Sequence, residues 1–349
     1  MADDSLAALR AQLEALPQRP KRGGDLRVVL PRLRRTLDFI AHVRHPRARL
    51  LARLHPYPKP WRHVTVAVDD GVQVAGWLGP QHRDAPSPWG LVIVPGMFST
   101  KDDNLHKRRA IHIHRHWKIP VLAIDLRAFG ESTGIATAGW KEAADVAAAA
   151  RFLVAQTGVK RVAVLAESMG AAAALNAACA EGEAGSTLFA GGVLAFSAFM
   201  DAADAVRYIS EAPPKGHPFR RTWSGFRRLL LAKSDGAYER FDDLLADVAR
   251  IYSLENVEEL YDLATPKRRV SRITAPTLVV HSTDDPVVPV RHARRLERYA
   301  EGTANIQVLL TAWGSHTQFE LLDAHWFWEV CRRFYGEVNG VELENLSGK

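Results

Sequence analysis

The stretch Val162–Ala178, VAVLAESMGAAAALNAA, decides the fold because its character changes at a single serine. Its first residues form an apolar run, as in a strand that is buried on both faces of a sheet. From Gly170 onward the stretch is rich in alanine, the strongest helix former. Ser168 therefore stands on a corner between a predicted strand and a predicted helix, with the small residues Ala166 and Gly170 two positions away on either side.

Apolar runs of the same kind recur along the chain and alternate with helical segments. Six of them are mostly continuous, namely WGLVIVPG, PVLAIDL, RVAVLAES, AGGVLAFS, APTLVVHS and NIQVLLTA. Two earlier runs, HVTVAV and VQVAGWL, flank an Asp-Asp-Gly turn and predict a β-hairpin. Helices are predicted at about 102–117, 139–157, 169–181, 290–300 and 323–338. This alternation predicts an α/β fold with a mostly parallel, doubly wound sheet of about eight strands.

Two parts of the chain lie outside this alternation. Residues 1–60 form a predicted basic helical arm at the N-terminus. Residues 200–274 separate two predicted strands by far more chain than a crossover needs, and their pattern is helical. We interpret them as a helical cap inserted over the carboxyl edge of the sheet. The core then comprises residues 61–199 and 275–340.

The arm carries the excess positive charge. The whole chain has a formal net charge of +7, and residues 1–62 hold 14 basic but only 5 acidic side chains. A helix is predicted at 3–16 and a second helical region at about 32–54. Two roles stay open: weak contact with an anionic membrane, or packing of the arm's leucines on the body with its arginines solvated, which is favoured. No nucleic-acid-binding signature accompanies the charge, so no nucleic-acid partner is expected.

Composition excludes several classes of protein. With 47% hydrophobic and 24% charged residues, the chain is expected to be globular. No apolar run reaches membrane-spanning length, and the N-terminus lacks the basic-then-apolar pattern of a secretory signal. Cys179 and Cys331 lie in predicted helices away from other ligand-type residues, which predicts reduced thiols and a cytoplasmic protein. The oligomeric state does not follow from the sequence.

The corner serine indicates nucleophilic chemistry. In open α/β sheets, sites form at the carboxyl ends of strands, and a serine on a tight strand-to-helix turn projects its hydroxyl. The backbone N–H of Met169, at the start of the predicted helix, is placed to bind an oxyanion. A serine hydroxyl needs a base, and later strand ends supply His316 in LLTAWGSHTQF and two carboxylates, Asp284 and Asp285, in VVHSTDDPVVP. The order serine, aspartate, histidine is the one that such a sheet requires.

Together these motifs resemble the α/β-hydrolase superfamily over about residues 61–338. VIVPGMFS resembles the family's oxyanion loop, with Met97 at the position whose backbone N–H serves the oxyanion hole. DLRAFGES resembles the family's Asp-x-Arg-Gly-x-Gly-x-Ser turn, with Ala128 in place of a glycine. The family's acid directly precedes a proline, which favours Asp285 and leaves Asp284 as the alternative. The cap segment is weakly similar to that of YheT-like hydrolases.

The resemblance implies a serine hydrolase that cleaves a carboxylic ester. Ser168, His316 and Asp285 would form its catalytic triad, and the N–H groups of Met97 and Met169 its oxyanion hole. Neither a metal nor an organic cofactor is implied, and the expected partner is a small, partly apolar acyl substrate. Two alternatives stay open: an acyltransferase or thioesterase that uses the same triad, and a non-catalytic binding protein on the same fold.

One motif suggests a metal site instead. HKRRAIHIHRHW places His112, His114 and His116 close together in the sequence. On a helix, His112 and His116 share a face while His114 points away, and no carboxylate within the stretch completes a ligand set. We therefore interpret the run as a solvated basic face of the helix that follows the oxyanion loop.

Overall fold

An eight-stranded sheet organises the part of the chain that the computed structural model describes, which comprises residues 4–21, 57–210 and 241–347. The strands are β1 (Arg62–Ala67), β2 (Gln73–Gly79), β3 (Trp89–Val94), β4 (Val121–Ile124), β5 (Arg161–Glu167), β6 (Val193–Phe196), β7 (Thr277–Ser282) and β8 (Ile306–Thr311). Their order across the sheet is β1-β2-β4-β3-β5-β6-β7-β8. Strand β2 is antiparallel to both neighbours, and every other neighbouring pair is parallel. The predicted mostly parallel sheet of about eight strands is confirmed.

Helices connect these strands and cover both faces of the sheet. The described α-helices are α1 (Asp4–Glu14), α2 (Asn104–Trp117), α3 (Glu142–Thr157), α4 (Met169–Glu183), α5 (Ala202–Ser210), α6 (Phe241–Ile251), α7 (Val257–Ala264), α8 (Arg291–Tyr299), α9 (Phe319–Leu322) and α10 (Ala324–Asn339). Each helix predicted for the core occurs, with ends that shift by a few residues at most. None of these described helices combines the length and the apolar character that crossing a membrane requires.

Apolar side chains fill both faces of the sheet because its central strands are buried on both sides. Every residue of β3, β4, β6 and β7 is buried. One apolar cluster packs α3 and α4 against one face, and the other packs α1, α2 and α10 against the opposite face. Burial on both faces is the reason that these strands appear in the sequence as unbroken apolar runs.

The register of the parallel strands brings several strand ends to one edge. Val94 of β3 pairs with Ala166 of β5, and Ser282 of β7 pairs with Thr311 of β8. The loops that follow β3, β5, β7 and β8 therefore open at the same carboxyl edge of the sheet. These are the loops on which the sequence analysis placed the candidate site residues.

The N-terminal helix α1 packs against the core. Its leucines are buried beside β8 and α10, namely Leu6, Leu9 and Leu13. Ser5 Oγ donates a hydrogen bond to Glu337 at 2.8 Å, and the Arg19 N–H donates one to Asp323 at 2.7 Å. The structure thus shows, for this helix, the packing that the leucine spacing predicts. The second helical region predicted for the arm, at about 32–54, lies outside the described residues.

The described parts of the interval 200–274 are helical, in agreement with the sequence pattern of this interval, and its role as a cap stays a prediction. Helix α5 follows β6 closely, and α6 and α7 pack with it. Asn256 caps α7 by accepting a hydrogen bond from the Glu259 N–H at 2.9 Å, which satisfies one of the free donors at the helix start. Residues 211–240 lie outside the described residues.

The turn after β4 shows the structural cost of a departure from the family pattern. Gly130 has a φ of 55°, and a Cβ there would lie 2.0 Å from Asp125 Oδ2, so only glycine fits. Ala128 stands where the family pattern has glycine, and it also takes a left-handed φ of 67°. This conformation costs a non-glycine residue about 1–2 kcal/mol. A hydrogen bond from the Ala128 N–H to the Thr133 carbonyl, at 3.0 Å, helps to hold it.

Candidate active site

The corner at Ser168 is strained and closely packed. Ser168 has a φ of 54° and a ψ of −122°, a backbone conformation that residues other than glycine rarely adopt. Its N–H donates a hydrogen bond to the Phe196 carbonyl at 2.8 Å, which attaches the corner to β6. A Cβ on Gly170 would lie 2.2 Å from the Pro95 carbonyl oxygen, so only glycine lets α4 approach the loop after β3. This close approach explains the small residues around the serine.

Three side chains from three strand-end loops meet at this corner. His316 Nε2 lies 2.9 Å from Ser168 Oγ, and His316 Nδ1 lies 3.0 Å from Asp285 Oδ2. Both distances are those of hydrogen bonds. The structure brings together the three side chains that the sequence analysis selected, in an arrangement that can move a proton from the serine to the histidine.

Asp285 is buried and held by the backbone of its own loop. Its Oδ1 accepts hydrogen bonds from the N–H groups of Val287 at 2.8 Å and Val288 at 2.9 Å. Burial alone would raise the pKa of Asp285, but the charge and hydrogen bond of His316, together with the nearby His281, hold this pKa below its ordinary value. Asp285 therefore stays ionised and can accept the Nδ1–H bond that orients His316.

The neighbouring aspartate makes different contacts. Asp284 is exposed, and its Oδ1 accepts a hydrogen bond from the Ser315 N–H at 2.7 Å. The same oxygen bonds with Ser282 Oγ. Asp284 thus connects the loop after β7 to the loop that carries His316, whereas Asp285 contacts the imidazole itself. The structure thus distinguishes the two carboxylates that the sequence left as alternatives, because only Asp285 contacts the imidazole.

The loop after β3 lies against the serine. A Cβ on Gly96 would come within 3.0 Å of Ser168 Cβ. Met97 follows this glycine, and Met169 is the first residue of α4, where backbone N–H groups have no acceptor within the helix. Both methionines line the same cavity as Ser168. The proximity of these backbone segments supports the predicted oxyanion hole, which stays a prediction.

A cavity of about 180 Å³ adjoins Ser168 and His316. Most of its lining side chains are apolar and include Phe98, Phe199, Ala202, Ala205, Val206 and Val288. A concave, mainly apolar space with a few polar groups is the usual form of a small-molecule site.

A comparison with known families agrees with this geometry. Residues 91–329, more than half of the chain, match the model described as the alpha/beta hydrolase family. The chain belongs to this family. The resemblance carried by the sequence motifs is confirmed, while no curated protein matches the chain.

Solved structures share the fold of this hydrolase at low sequence identity. An esterase of Pyrococcus furiosus aligns with a TM-score of 0.56 and 16% identity, covering 79% of this chain and 92% of its own. A puromycin-hydrolyzing peptidase of Mycobacterium tuberculosis gives 0.57 and 18% identity, over 83% of this chain and 42% of its own. A 2,6-dihydroxy-pseudo-oxynicotine hydrolase gives 0.59 and 14% identity, over 97% of this chain and 98% of its own. At these identities the likeness is one of fold.

Helix α2 of the hydrolase corrects one expectation. Its basic residues were expected to form a solvated face, but three of them are buried, namely His106, Arg109 and His114. His114 packs edge-on against Trp61, and its Nε2 bonds with the Pro80 carbonyl at 2.9 Å. His112 and His116 share the other face as expected, with ring centres 5.9 Å apart. The prediction of a solvated face was wrong for these three residues. They lie beside the apolar stripe of the helix and are buried with it where the helix packs on the sheet.

The buried Arg109 connects elements on both sides of the candidate site, and the sequence analysis missed it. Its Nη1 donates to Glu167 at 2.7 Å, and its Nε donates to Glu320 at 2.6 Å. Glu167 directly precedes the corner serine, and Glu320 belongs to α9, which follows the loop of His316. The guanidinium also lies over the ring of Phe327, 4.5 Å from its centre. The signal that could have located Arg109 is the apolar stripe of α2, formed by Ala110, Ile113 and Trp117.

One group of carboxylates in the described ranges is close enough to hold a metal ion, namely Asp102, Asp125 and Glu131. The ammonium group of Lys101 already lies among them, 2.8 Å from Asp125 and 2.9 Å from each of the other two. Burial would lower the pKa of Lys101, but these carboxylates raise it above its ordinary value. The group is therefore an ion network around a buried lysine, and a metal ion would have to displace that side chain.

Ion pairs attach α5, which forms part of the cavity wall, to the rest of the hydrolase. Asp204 of α5 accepts hydrogen bonds from Arg291 Nε at 2.7 Å and from Arg295 Nη1 at 2.9 Å, both on α8. Asp201, just before α5, lies 3.0 Å from Lys267 Nζ. Both aspartates are partly shielded from solvent, so these pairs are stronger than those of fully exposed side chains.

His292 of α8 is buried at the same junction. Its Nδ1 accepts a hydrogen bond from the Met200 N–H at 3.2 Å, which requires this nitrogen to be unprotonated. Burial lowers the pKa of His292 from 6.5 to about 4. The positive charges of Arg291 and Arg295 also lower this pKa, whereas the negative charge of Asp204 raises it. His292 is therefore neutral in the folded protein near neutral pH.

We expect the folded protein to lose stability as the pH falls from about 6.5 to 4, in part because of His292. In this interval the unfolded chain binds a proton on the side chain, whereas the folded protein resists protonation. A gap of this size corresponds to about 3 kcal/mol of unfolding free energy. Denaturant melts between these pH values should show a shallower dependence on pH for His292→Gln than for the wild type. An equal pH dependence of the unfolding free energy in the two proteins would contradict this role of His292.

Proposed function

We propose that this alpha/beta hydrolase is a serine esterase that cleaves small, partly apolar carboxylic esters through Ser168, His316 and Asp285. The observation that carries the proposal is the chain of two hydrogen bonds, 2.9 Å from Ser168 Oγ to His316 Nε2 and 3.0 Å from His316 Nδ1 to Asp285. A serine becomes a nucleophile when an adjacent base takes its proton and a third group orients that base. The Pyrococcus furiosus neighbour is named an esterase, which supports an ester as the bond that is cleaved.

In the first half of the proposed reaction, the serine attacks the ester. His316 Nε2 takes the proton of Ser168 Oγ as this oxygen bonds to the carbonyl carbon, and the carbonyl electron pair moves onto the carbonyl oxygen. Asp285 accepts the Nδ1–H bond and stabilises the imidazolium that forms. The N–H groups of Met97 and Met169 would hold the oxyanion. Preorganised donors lower the barrier most when they face the atom on which charge develops.

In the second half, the alcohol leaves and water replaces it. The tetrahedral intermediate collapses, the carbon–oxygen bond to the alcohol breaks, and the alkoxide takes the proton from His316. The acyl group stays on Ser168 Oγ. A water molecule then gives a proton to His316 and attacks the acyl carbon, and collapse releases the carboxylic acid and returns the proton to Ser168. One ester and one water thus yield one acid and one alcohol.

A small fluorophosphonate tests the nucleophile without a mutation. Ser168 Oγ is expected to displace fluoride from phosphorus and form a stable phosphonyl ester. Mass spectrometry of the digested protein should then place the adduct on the peptide that contains Ser168. Heat-unfolded protein is the control, because a serine without its neighbouring histidine is a weak nucleophile. An adduct on another residue, or no adduct on the folded protein, would contradict the proposal.

Product analysis separates hydrolysis from acyl transfer. In buffer, the carboxylic acid and the alcohol should appear in equal amounts from a cleaved ester. The acid should stay the main product when a second alcohol is added at a concentration far below that of water. Preferential formation of the new ester would instead identify an acyltransferase with the same triad.

A further inference from the structure

The cavity at Ser168 is small, and its size limits the group that it can hold. Its volume is about 180 Å³, and most of the side chains that line it are apolar. A dry apolar cavity of about 150 Å³ in another protein holds one benzene molecule. An apolar group of about that size fits beside the serine, whereas a long acyl chain would extend beyond the cavity.

Helix α5 forms one wall of this cavity. Ala202, Ala205 and Val206 recur at three- and four-residue spacing and line the cavity from one face of the helix. Ala202 and Ala205 are buried, so a larger side chain at either position would enter the cavity instead of turning to solvent. Ala203 belongs to the same helix but is absent from the cavity lining.

The charged side of α5 holds this wall in place. Asp204 contacts Arg291 of α8, Asp201 contacts Lys267, and the Met200 N–H donates to the buried His292 of α8. These contacts lie within a few residues of Ala202 and Ala205, at the start of the helix. The alanine wall is therefore anchored where it borders the cavity, and we expect it to keep its position when the cavity is filled.

We infer that the cavity receives one compact apolar group of the ester, such as a phenyl, cyclohexyl or short branched alkyl group, and that Ala205 sets the upper limit of its size. The inference rests on the proposed function, because the ester carbon must reach Ser168 Oγ. The acyl half and the alcohol half of an ester can both carry such a group, and two arms of one experiment distinguish them.

Two series of esters test the size limit. Vinyl esters vary the acyl group through acetyl, butyryl, phenylacetyl, octanoyl and palmitoyl, and acetates vary the alcohol over matching sizes. In one of the two series, kcat/KM should rise about fourfold for each added buried methylene until the group reaches the size of a benzene ring. It should then fall by about tenfold or more for the octyl-length group. A rate that stays level or rises to the longest chain in both series would overturn the inference.

The variant Ala205→Leu tests the wall, and Ala203→Leu is its matched control. Ala205→Leu should lower kcat/KM for the preferred compact ester by about 10- to 100-fold, and for the smallest ester by less than about threefold. Ala203→Leu adds the same side chain outside the cavity and should leave the size profile unchanged. Ala205→Val, a smaller change, should give an intermediate loss. Melting temperatures and labelling by a small fluorophosphonate show whether each variant is folded and reactive.

Failure of this inference differs from failure of the proposed function. If Ser168 is labelled and esters are cleaved, but octanoyl and palmitoyl esters match the compact ones, the size limit alone is wrong. The same holds if folded Ala205→Leu keeps the wild-type size profile. If no ester is cleaved and Ser168 is not labelled, the proposed function is overturned, and the size limit with it.

Discussion

Replacing Ser168 by alanine should lower kcat for ester hydrolysis by about 10⁶-fold, because loss of the nucleophile in a serine hydrolase removes the acyl-enzyme route altogether. Stability should stay within about 0.5 kcal/mol of the wild type. Within the described part of the chain, the Ser168 hydroxyl caps no backbone N–H of α4, so its removal leaves the helix start as it was. Initial rates with the best ester of the series, together with a denaturant melt, measure both quantities.

Ser197→Ala is the matched control for this prediction. Ser197 directly follows β6, the strand next to β5 in the sheet, and has the same left-handed φ of 54° as Ser168. Its buried Oγ has no hydrogen-bond partner among the described residues, so alanine removes no hydrogen bond there. This variant should keep kcat within about twofold and be as stable as the wild type or slightly more so. Substantial activity in Ser168→Ala, or its loss in folded Ser197→Ala, would refute the assignment of the nucleophile.

Asp285→Asn should lower kcat by about 10⁴-fold while the protein stays folded. An asparagine amide can donate a hydrogen bond to His316 Nδ1, which leaves the imidazole proton on Nε2. A protonated Nε2 faces Ser168 Oγ and cannot accept its proton. Rates at a single pH above neutrality, compared with fluorophosphonate labelling rates, report this loss of base catalysis.

Asp284→Asn is the control for the acid, since it makes the same substitution one residue away. The asparagine keeps an oxygen that can accept from the Ser315 N–H, now 2.7 Å from the Asp284 carboxylate. We expect kcat to fall by less than about tenfold, because the loop keeps its hydrogen bond and Asp285 still contacts the imidazole. The reverse pattern, with Asp284→Asn the more damaging change, would assign the acid role to Asp284.

Much of the candidate site could be predicted from short stretches of sequence. The corner at Ser168 is recognisable because the approach of α4 to the loop after β3 excludes a Cβ at Gly170. His316 and the two aspartates follow predicted strands, and parallel strands bring their carboxyl ends to one edge. The positions of these residues therefore follow from the strand pattern. This pattern is visible in the sequence because strands buried on both faces require continuous apolar runs.

The partners of these residues could not be predicted in the same way. Asp284 and Asp285 lie in one short loop, and the choice between them depends on which carboxylate reaches His316, 31 positions further along the chain. The burial of Arg109 depends on Glu320, which is 211 positions away. Composition marks the helix of Arg109 as basic, and only packing against the sheet shows which of its faces is inside.

The sequence by itself determined the fold class and the candidate site residues at the sheet edge, because strand burial and the strand-to-helix corner are local properties. The tertiary structure decided which aspartate contacts the histidine, which basic residues are buried and how much space adjoins Ser168. That space of about 180 Å³ lies between the loop after β3, helix α5 and the loop after β8. No local pattern records the distances among these elements, since each depends on contacts between distant parts of the chain.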